Sequence, residues 1–233
     1  NAYGGYNLSL TGNANNNTLI LKNLTSGSGS AMYGGYSQNG NAINNTIVLD
    51  SASDNGYFSY LWGGGSGNGS ADVRTGNTLK VMASGSYYRG MANFEKLQFD
   101  LNANIANGST MLSIGPAGVT GAFDWSNISV TGGEAWATGT PGAKRVILYT
   151  GAGMTLNNYD FTASRGTSGN VEYGLTTSAG AIIAPSVGIS QIYFDVNQFK
   201  NGTPTYTTSN PPSGELSGGR STLGNDVHHN TLT

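Results

Sequence analysis

The feature that most constrains this chain is an internal repeat. Tyr3-Gly4-Gly5-Tyr6 is followed by Asn17-Thr18-Leu19-Ile20-Leu21. Tyr33-Gly34-Gly35-Tyr36-Ser37 is followed by Asn45-Thr46-Ile47-Val48-Leu49, and Trp62-Gly63-Gly64-Gly65-Ser66 by Asn77-Thr78-Leu79-Lys80-Val81. A fourth unit stands far down the chain, with Leu216-Ser217-Gly218-Gly219-Arg220-Ser221 ahead of Asn230-Thr231-Leu232. Gly4 and Gly34 are 30 residues apart, Gly34 and Gly63 are 29, Asn17 and Asn45 are 28, and Asn45 and Asn77 are 32. Loop lengths vary while the frame stays. One such unit cannot bury its apolar strand face alone, whereas stacked units bury a continuous core and make a quasi-one-dimensional molecule.

The chemistry of the frame points the same way. Thr46-Ile47-Val48-Leu49 is β-branched and apolar, which favours an extended strand. Gly-Gly permits positive φ or a close backbone approach at a corner. Asn tolerates left-handed φ, and Asn side chains stacked in register hydrogen-bond from rung to rung. Asn17, Asn45, Asn77 and Asn230 are therefore expected at equivalent corners, and the glycine pairs Gly4-Gly5, Gly34-Gly35, Gly63-Gly64 and Gly218-Gly219 are the other repeated structural positions.

Composition excludes the main competitors. Gly (37) and Asn (27) with Ser (25) and Thr (24) fill almost half of the 233 residues, which disfavours helices. Aromatics at 10% and hydrophobics at 37% disfavour intrinsic disorder. Zero Cys excludes a disulfide scaffold or a thiol nucleophile. A net charge of −2 provides no field to gather nucleic acid or anionic lipid. No apolar stretch is long and unbroken enough for a membrane helix. The expected fold is all-β, a parallel β-helix, with a β-sandwich as the alternative because short strands with frequent turns also describe one.

One solenoid unit over 1–233 is expected, divided into regular repeats at 1–81, a divergent β region at 82–215 and a further repeat at 216–233. Strand-like runs in the divergent region include Phe94–Leu101, Thr110–Ile114, Ile128–Val130, Arg145–Tyr149 and Ile189–Phe194. The stretch from Asn201 to Gly214, with Pro204, Pro211 and Pro212, reads as a surface loop. The chain starts at Asn1 and stops just after Asn-Thr-Leu-Thr, so it reads as a piece of something longer.

The aromatic-Gly-Gly and Asn-Thr-apolar units, together with Asn93-Phe94-Glu95-Lys96-Leu97-Gln98-Phe99 and Gly108-Ser109-Thr110-Met111-Leu112, resemble the repetitive passenger region of bacterial autotransporter (type V secretion) adhesins, as in fusobacteria and related Gram-negative anaerobes. The resemblance implies a right-handed parallel β-helix, export across the outer membrane, a cell-surface or secreted location and a role in adhesion and virulence. The absence of Cys suits that route, since a disulfide would obstruct passage through a narrow pore.

Catalytic chemistry finds little support in the residues. The only histidines, His228 and His229, are adjacent and face opposite sides of any strand, so they cannot jointly hold a metal. Gly64-Gly65-Ser66-Gly67-Asn68-Gly69 approaches a calcium repeat but lacks its carboxylate. Twelve acids are spread along the chain, and a polysaccharide-cleaving enzyme would need them clustered across rungs. No cofactor, no metal and no enzyme activity are expected. The aromatics beside Gly, Asn and Ser are the contact candidates, because Tyr and Trp pair an apolar ring with a polar tip. Tyr57, Tyr60, Tyr87 and Tyr88, which lie outside the repeat frame, are the chosen binding residues, while Tyr3, Tyr33 and Trp62 read as rung-covering positions. The expected partner is a host or bacterial cell-surface protein or glycan, with no nucleic acid and no membrane contact. The alternative role is a structural stalk or filament subunit that self-associates through its solenoid ends, where strand edges are open.

Overall fold

The computed structural model describes residues 1–24, 30–52, 59–101, 110–139, 143–168 and 171–198. Each frame unit supplies two strands. The Gly-Gly part lies in one sheet, built from β1 (Ala2–Tyr3), β2 (Tyr6–Asn7), β4 (Ala31–Ser37), β6 (Tyr60–Ser66), β8 (Ser86–Ala92), β10 (Leu112–Thr120), β11 (Phe123–Asp124) and β13 (Lys144–Asp160). The Asn-Thr part lies in the other, built from β3 (Thr18–Leu21), β5 (Thr46–Leu49), β7 (Thr78–Val81), β9 (Lys96–Asp100) and β12 (Ile128–Thr131). All neighbouring strands among these pair in parallel. The result is a parallel β-helix of about five turns.

Alternation sets the core. Ile47 and Leu49 are buried while Thr46 and Val48 face outward. Register then stacks like on like: Leu19, Ile47, Leu79, Leu97 and Ile128 form one inward line, and Leu21, Leu49, Val81, Phe99 and Val130 form the next. From the opposite sheet, Met32, Leu61, Met91 and Val119 stack in the same way. Each fully buried Leu or Ile contributes roughly 1.5–3 kcal/mol, and stacking makes that burial continuous.

The glycine pairs do not sit at corners, and their backbone takes no positive φ at Gly34, Gly35, Gly63 or Gly64. They lie inside β4 and β6, where two successive residues turn inward and bend the strand. What they provide is close approach. A Cβ on Gly34 would stand 2.4 Å from the Gly63 carbonyl oxygen, and one on Gly63 would stand 2.1 Å from that of Asn93. The left-handed conformation falls elsewhere, on Asn16 (φ 61°), Asn44 (φ 55°) and Gly76 (φ 68°), each immediately before a frame Asn.

The repeat frame fades after β7, but the stack does not. β8 pairs with β6 with Trp62 opposite Ala92, and β9 pairs with β7 with Thr78 opposite Lys96. The parallel pattern ends at β13. Its other edge pairs antiparallel with β16 (Ile183–Gln198), which continues to β15 (Val171–Thr177) and β14 (Arg165–Ser168). A short helix, α1 (Gly133–Gly139), buries Trp136 edge-on against Phe194 at 5.8 Å. This antiparallel extension departs from a purely parallel solenoid and covers the sheet edge at the β13 end.

Candidate functional site

Two constellations arise from the repeat, one inside the corner and one on the outer face. Inside, Asn17, Asn45 and Asn77 form a ladder. The backbone N–H and Nδ2 of Asn17 both donate to Oδ1 of Asn45 at 2.9 Å. Asn45 repeats this toward Oδ1 of Asn77, at 2.8 and 3.3 Å. The Asn77 Nδ2 then donates to the carbonyls of Ala42, Val73 and Asn93, which ends the ladder on backbone. Asn45 and Asn77 are fully buried. Gly5, Gly35 and Gly64 make room for these amides, since a Cβ there would lie 2.3 to 2.8 Å from side-chain atoms of Asn17, Asn45 and Asn77 respectively. The buried polar groups are thus matched, and the ladder has a structural role. Gly218, Gly219 and Asn230 lie outside the described residues.

The outer face of the Gly-Gly sheet carries the aromatics. Tyr33 stacks on Tyr3 at 5.2 Å and on Trp62 at 6.0 Å. Tyr36 meets Tyr6 at 5.5 Å and Tyr33 edge-on at 5.6 Å, and Tyr60 leans toward Trp62 at 6.4 Å. The rings lean onto glycines of the following rung: Tyr33 and Tyr36 lie over Gly65, Tyr60 over Gly90, and Tyr87 over Gly115. The Arg89 guanidinium stands over the Tyr60 ring at 5.8 Å. Burial, then the neighbouring Tyr3 and Tyr36, pushes the Tyr33 phenol above its ordinary pKa. The rings stand in rows set by the strand spacing.

Of the four chosen contact residues, Tyr60 and Tyr87 are half-buried members of this face. Tyr57 lies outside the described residues. Tyr88 is a correction: it is fully buried and packs in the core, because it follows Tyr87 on the same strand and successive side chains point to opposite faces. Alternation alone distinguishes the two. Tyr6, Tyr36, Tyr3, Tyr33 and Trp62 belong to the face as well, and Tyr6 remains 53% exposed. The signal for it was the spacing Tyr33-Gly-Gly-Tyr36, in which the paired inward glycines return both rings to one side.

Hollows also lie away from this face, and two of them border the β13 end and a corner. One, of about 860 Å³, is an open depression bordered by Gly121, Ala152, Met154, Ser178, Ile189 and Ser190, without a titratable group. The other, of about 300 Å³, sits at a corner between Arg74, Glu95 and Asp124. Its charges are engaged: Arg74 donates to the carbonyls of Phe94 and Ala122, and Glu95 accepts from the Gly76 N–H. Asp124 accepts from the Ser126 hydroxyl, from Asn158 and from the Ser126 N–H, and these bonds hold its carboxyl below the usual range. Among the described residues no three of His, Cys, Asp and Glu come together to hold a metal ion, and no helix is long and apolar enough to cross a membrane.

The fold and its outer face define the class of protein as a two-sheet parallel β-solenoid with an aromatic row on one sheet. Beyond that class, no protein-family model, no curated protein and no solved structure matches the chain.

Proposed function

We propose that this chain is a segment of an extracellular surface adhesin, a non-enzymatic β-helical passenger like the autotransporter regions it resembles. It attaches through the outer face of the Gly-Gly sheet to a glycan or protein on a host or bacterial cell. The observation that supports this reading is the aromatic row Tyr3–Tyr33–Trp62 flanked by Tyr6, Tyr36 and Tyr60. A contiguous patch of partly exposed aromatics is uncommon on a monomer and marks an interaction surface. Tyr and Trp also carry a large share of binding energy at such surfaces. The test is binding of the labelled chain to bacterial and host cells with and without competing sugars, beside a Tyr6→Ser/Tyr36→Ser variant. Both substitutions lie on the outer face, so the core is spared. Saturable binding that the variant loses at least about tenfold supports the reading, in line with two contacts of about 1 kcal/mol or more each. A folded chain that binds no surface overturns it.

The stacked rungs favour a second reading, a structural stalk or filament subunit. Its supporting observation is the continuous parallel pairing from β1 to β13, which gives length along one axis.

A further inference from the structure

The aromatic sheet is nearly without charge. Across β1, β2, β4, β6, β8 and β10, Arg89 is the sole Asp, Glu, Lys or Arg. Alternation turns it outward with Tyr87, and the buried Tyr88 stands between them. Its guanidinium lies 5.8 Å from the centroid of the Tyr60 ring, and Tyr60 lies 6.4 Å from Trp62. The cation is therefore continuous with the aromatic row.

The other described arginines have acceptors within the chain. Arg74 donates to the carbonyls of Phe94 and Ala122, Arg165 to that of Thr162, and the buried Arg145 to the Ser84 hydroxyl. Lys22 pairs with Asp50, and Lys144 with Asp195. Arg89 differs from all of these. Its Nε is buried and has no hydrogen-bond partner. A buried donor without an acceptor costs stability. Contact with the face of a ring uses the charge of a guanidinium and leaves its N–H fork to an anion.

Arg89 is also bounded on both sides. Upstream stands the half-buried Tyr60 ring. Downstream, Tyr88 pairs with Ile114 and Gly90 with Gly118, so three residues of β10, Gly115, Pro116 and Ala117, stand opposite Arg89. Such a bulge interrupts the ladder and re-aims what lies beside it. Pro116 and Ala117 are exposed, and Tyr87 lies over Gly115. The place holds one cation, two phenol rings and a small, uncharged rim.

We propose that Arg89, with Tyr60 and Tyr87, forms a subsite for an acidic sugar, whose carboxylate takes the guanidinium fork while its ring lies against the aromatic side chains. This rests on the adhesin reading and names the ligand class of the same face. A carboxylate matches the fork bidentately, and a Tyr side chain offers both an apolar ring and a polar tip to a sugar. With a net charge of −2 the chain exerts no long-range pull on an anion, so selection falls to this contact. An acidic peptide fits less well. A peptide added to a sheet needs an open strand edge, and both edges of β8 are taken, by β6 and β10.

The test is calorimetric titration of the whole chain with two matched pairs, sialyllactose against lactose and an oligogalacturonate against its methyl ester. The first pair places the carboxylate at a chain end and the second along the chain, so the two sources are told apart. The ester keeps every ring and removes the charge. One acidic member is expected to bind at least about tenfold tighter than its neutral counterpart, with an affinity that falls as salt is raised. Arg89→Gln should erase that preference, and Arg89→Lys should restore only part of it, because lysine keeps the charge without the fork. The comparison of acid with ester needs no variant and so does not depend on how a variant folds. Equal affinity within both pairs, no binding of any sugar, a preference unchanged in Arg89→Gln, or an oligoglutamate that binds as tightly as the acidic sugars would each overturn the proposal. The adhesin reading is judged apart from this, by cell binding and its loss in Tyr6→Ser/Tyr36→Ser. Cell binding that persists beside any of those results leaves that reading standing and removes the acidic sugar alone.

Discussion

Coils 1–3 (β1–β3, β4–β5 and β6–β7) and coils 4–5 (β8–β9 and β10–β12) share parallel rung pairing with different chemistry at the corner. In the first region a buried amide ladder runs through Asn17, Asn45 and Asn77, and paired glycines give it space. In the second the ladder is gone. Coil 4 turns from β8 to β9 through Asn93, Phe94 and Glu95 alone, with Asn93 at φ 61° and Phe94 buried. Coil 5 fills its corner with Phe123 and with Trp125, which meets Tyr159 edge-on at 4.8 Å. Between strands of the Asn-Thr sheet, in-register residues are 28 and 32 apart in the first region, then 18 from Leu79 to Leu97, then 31 from Leu97 to Ile128. A polar ladder needs the matching residue in each neighbour, because an unmatched buried amide costs about 1–3 kcal/mol. Apolar plugs have no such partner requirement and accept side chains of several sizes and loops of several lengths. The solenoid is therefore defined by rung pairing, and the motif is one of two ways to close a corner.

Substitutions can break this comparison in graded steps. Phe99→Ala, in the apolar region, should cost about 3–5 kcal/mol in urea unfolding, because a fully buried ring is lost beneath Val81 and Val130. Asn45→Ala should cost about 2–3 kcal/mol, since the Asn17 amide groups lose their acceptor inside the corner. A cost below about 0.5 kcal/mol would show that the ladder is passive. Gly34→Ala should cost about 1–3 kcal/mol, because its methyl meets the Gly63 carbonyl and the backbones must part.

The smallest expected effect is on pH dependence, and it compares the loops of the two regions. Asp72, in coil 3, is held below the ordinary carboxyl pKa chiefly by the Thr75 hydroxyl, then by the N–H groups of Arg74 and Thr75. Asp124, in coil 5, is lowered in the same direction by Ser126 and Asn158. Groups with lowered folded pKa contribute stability that is present above the unfolded value and lost as pH falls through the folded one. Exchange protection at the Thr75 and Ser126 amides, relative to their intrinsic rates, should fall as pH drops below the usual carboxylate range. Exchange protection that stays flat through that range would remove the carboxylates from the account of these turns.

The first region was the more legible in sequence, and the reason is physical. Asn45 and Asn77 have one side chain that fits their site, so the repeat preserves them as letters. The inward run Leu97, Phe99, Leu101 was equally readable from alternation. The glycine pairs were read as giving either positive φ or a close backbone approach at a corner, and the structure uses the close approach, inside a strand instead of at a corner. Coils 4 and 5 lost their letters because any well-fitting apolar side chain serves. The antiparallel return of β16 was not readable either, since strand propensity in Ile189–Phe194 carries no direction. In the aromatic face, Tyr60 and Tyr87 were found as residues out of frame, and Tyr88 was included against the alternation that buries it.

The ladder also has a sense of travel. Asn17 is satisfied by Asn45 and Asn45 by Asn77, while Asn77 is satisfied by the backbone around it. Only Asn77 can be settled without another ladder member in place. This polarity predicts that the corner of coil 3 forms first and that order spreads from it toward the amino terminus. In kinetic terms, a change at Asn77 should slow formation of all three corners, whereas the same change at Asn17 should mainly speed the fraying of the first.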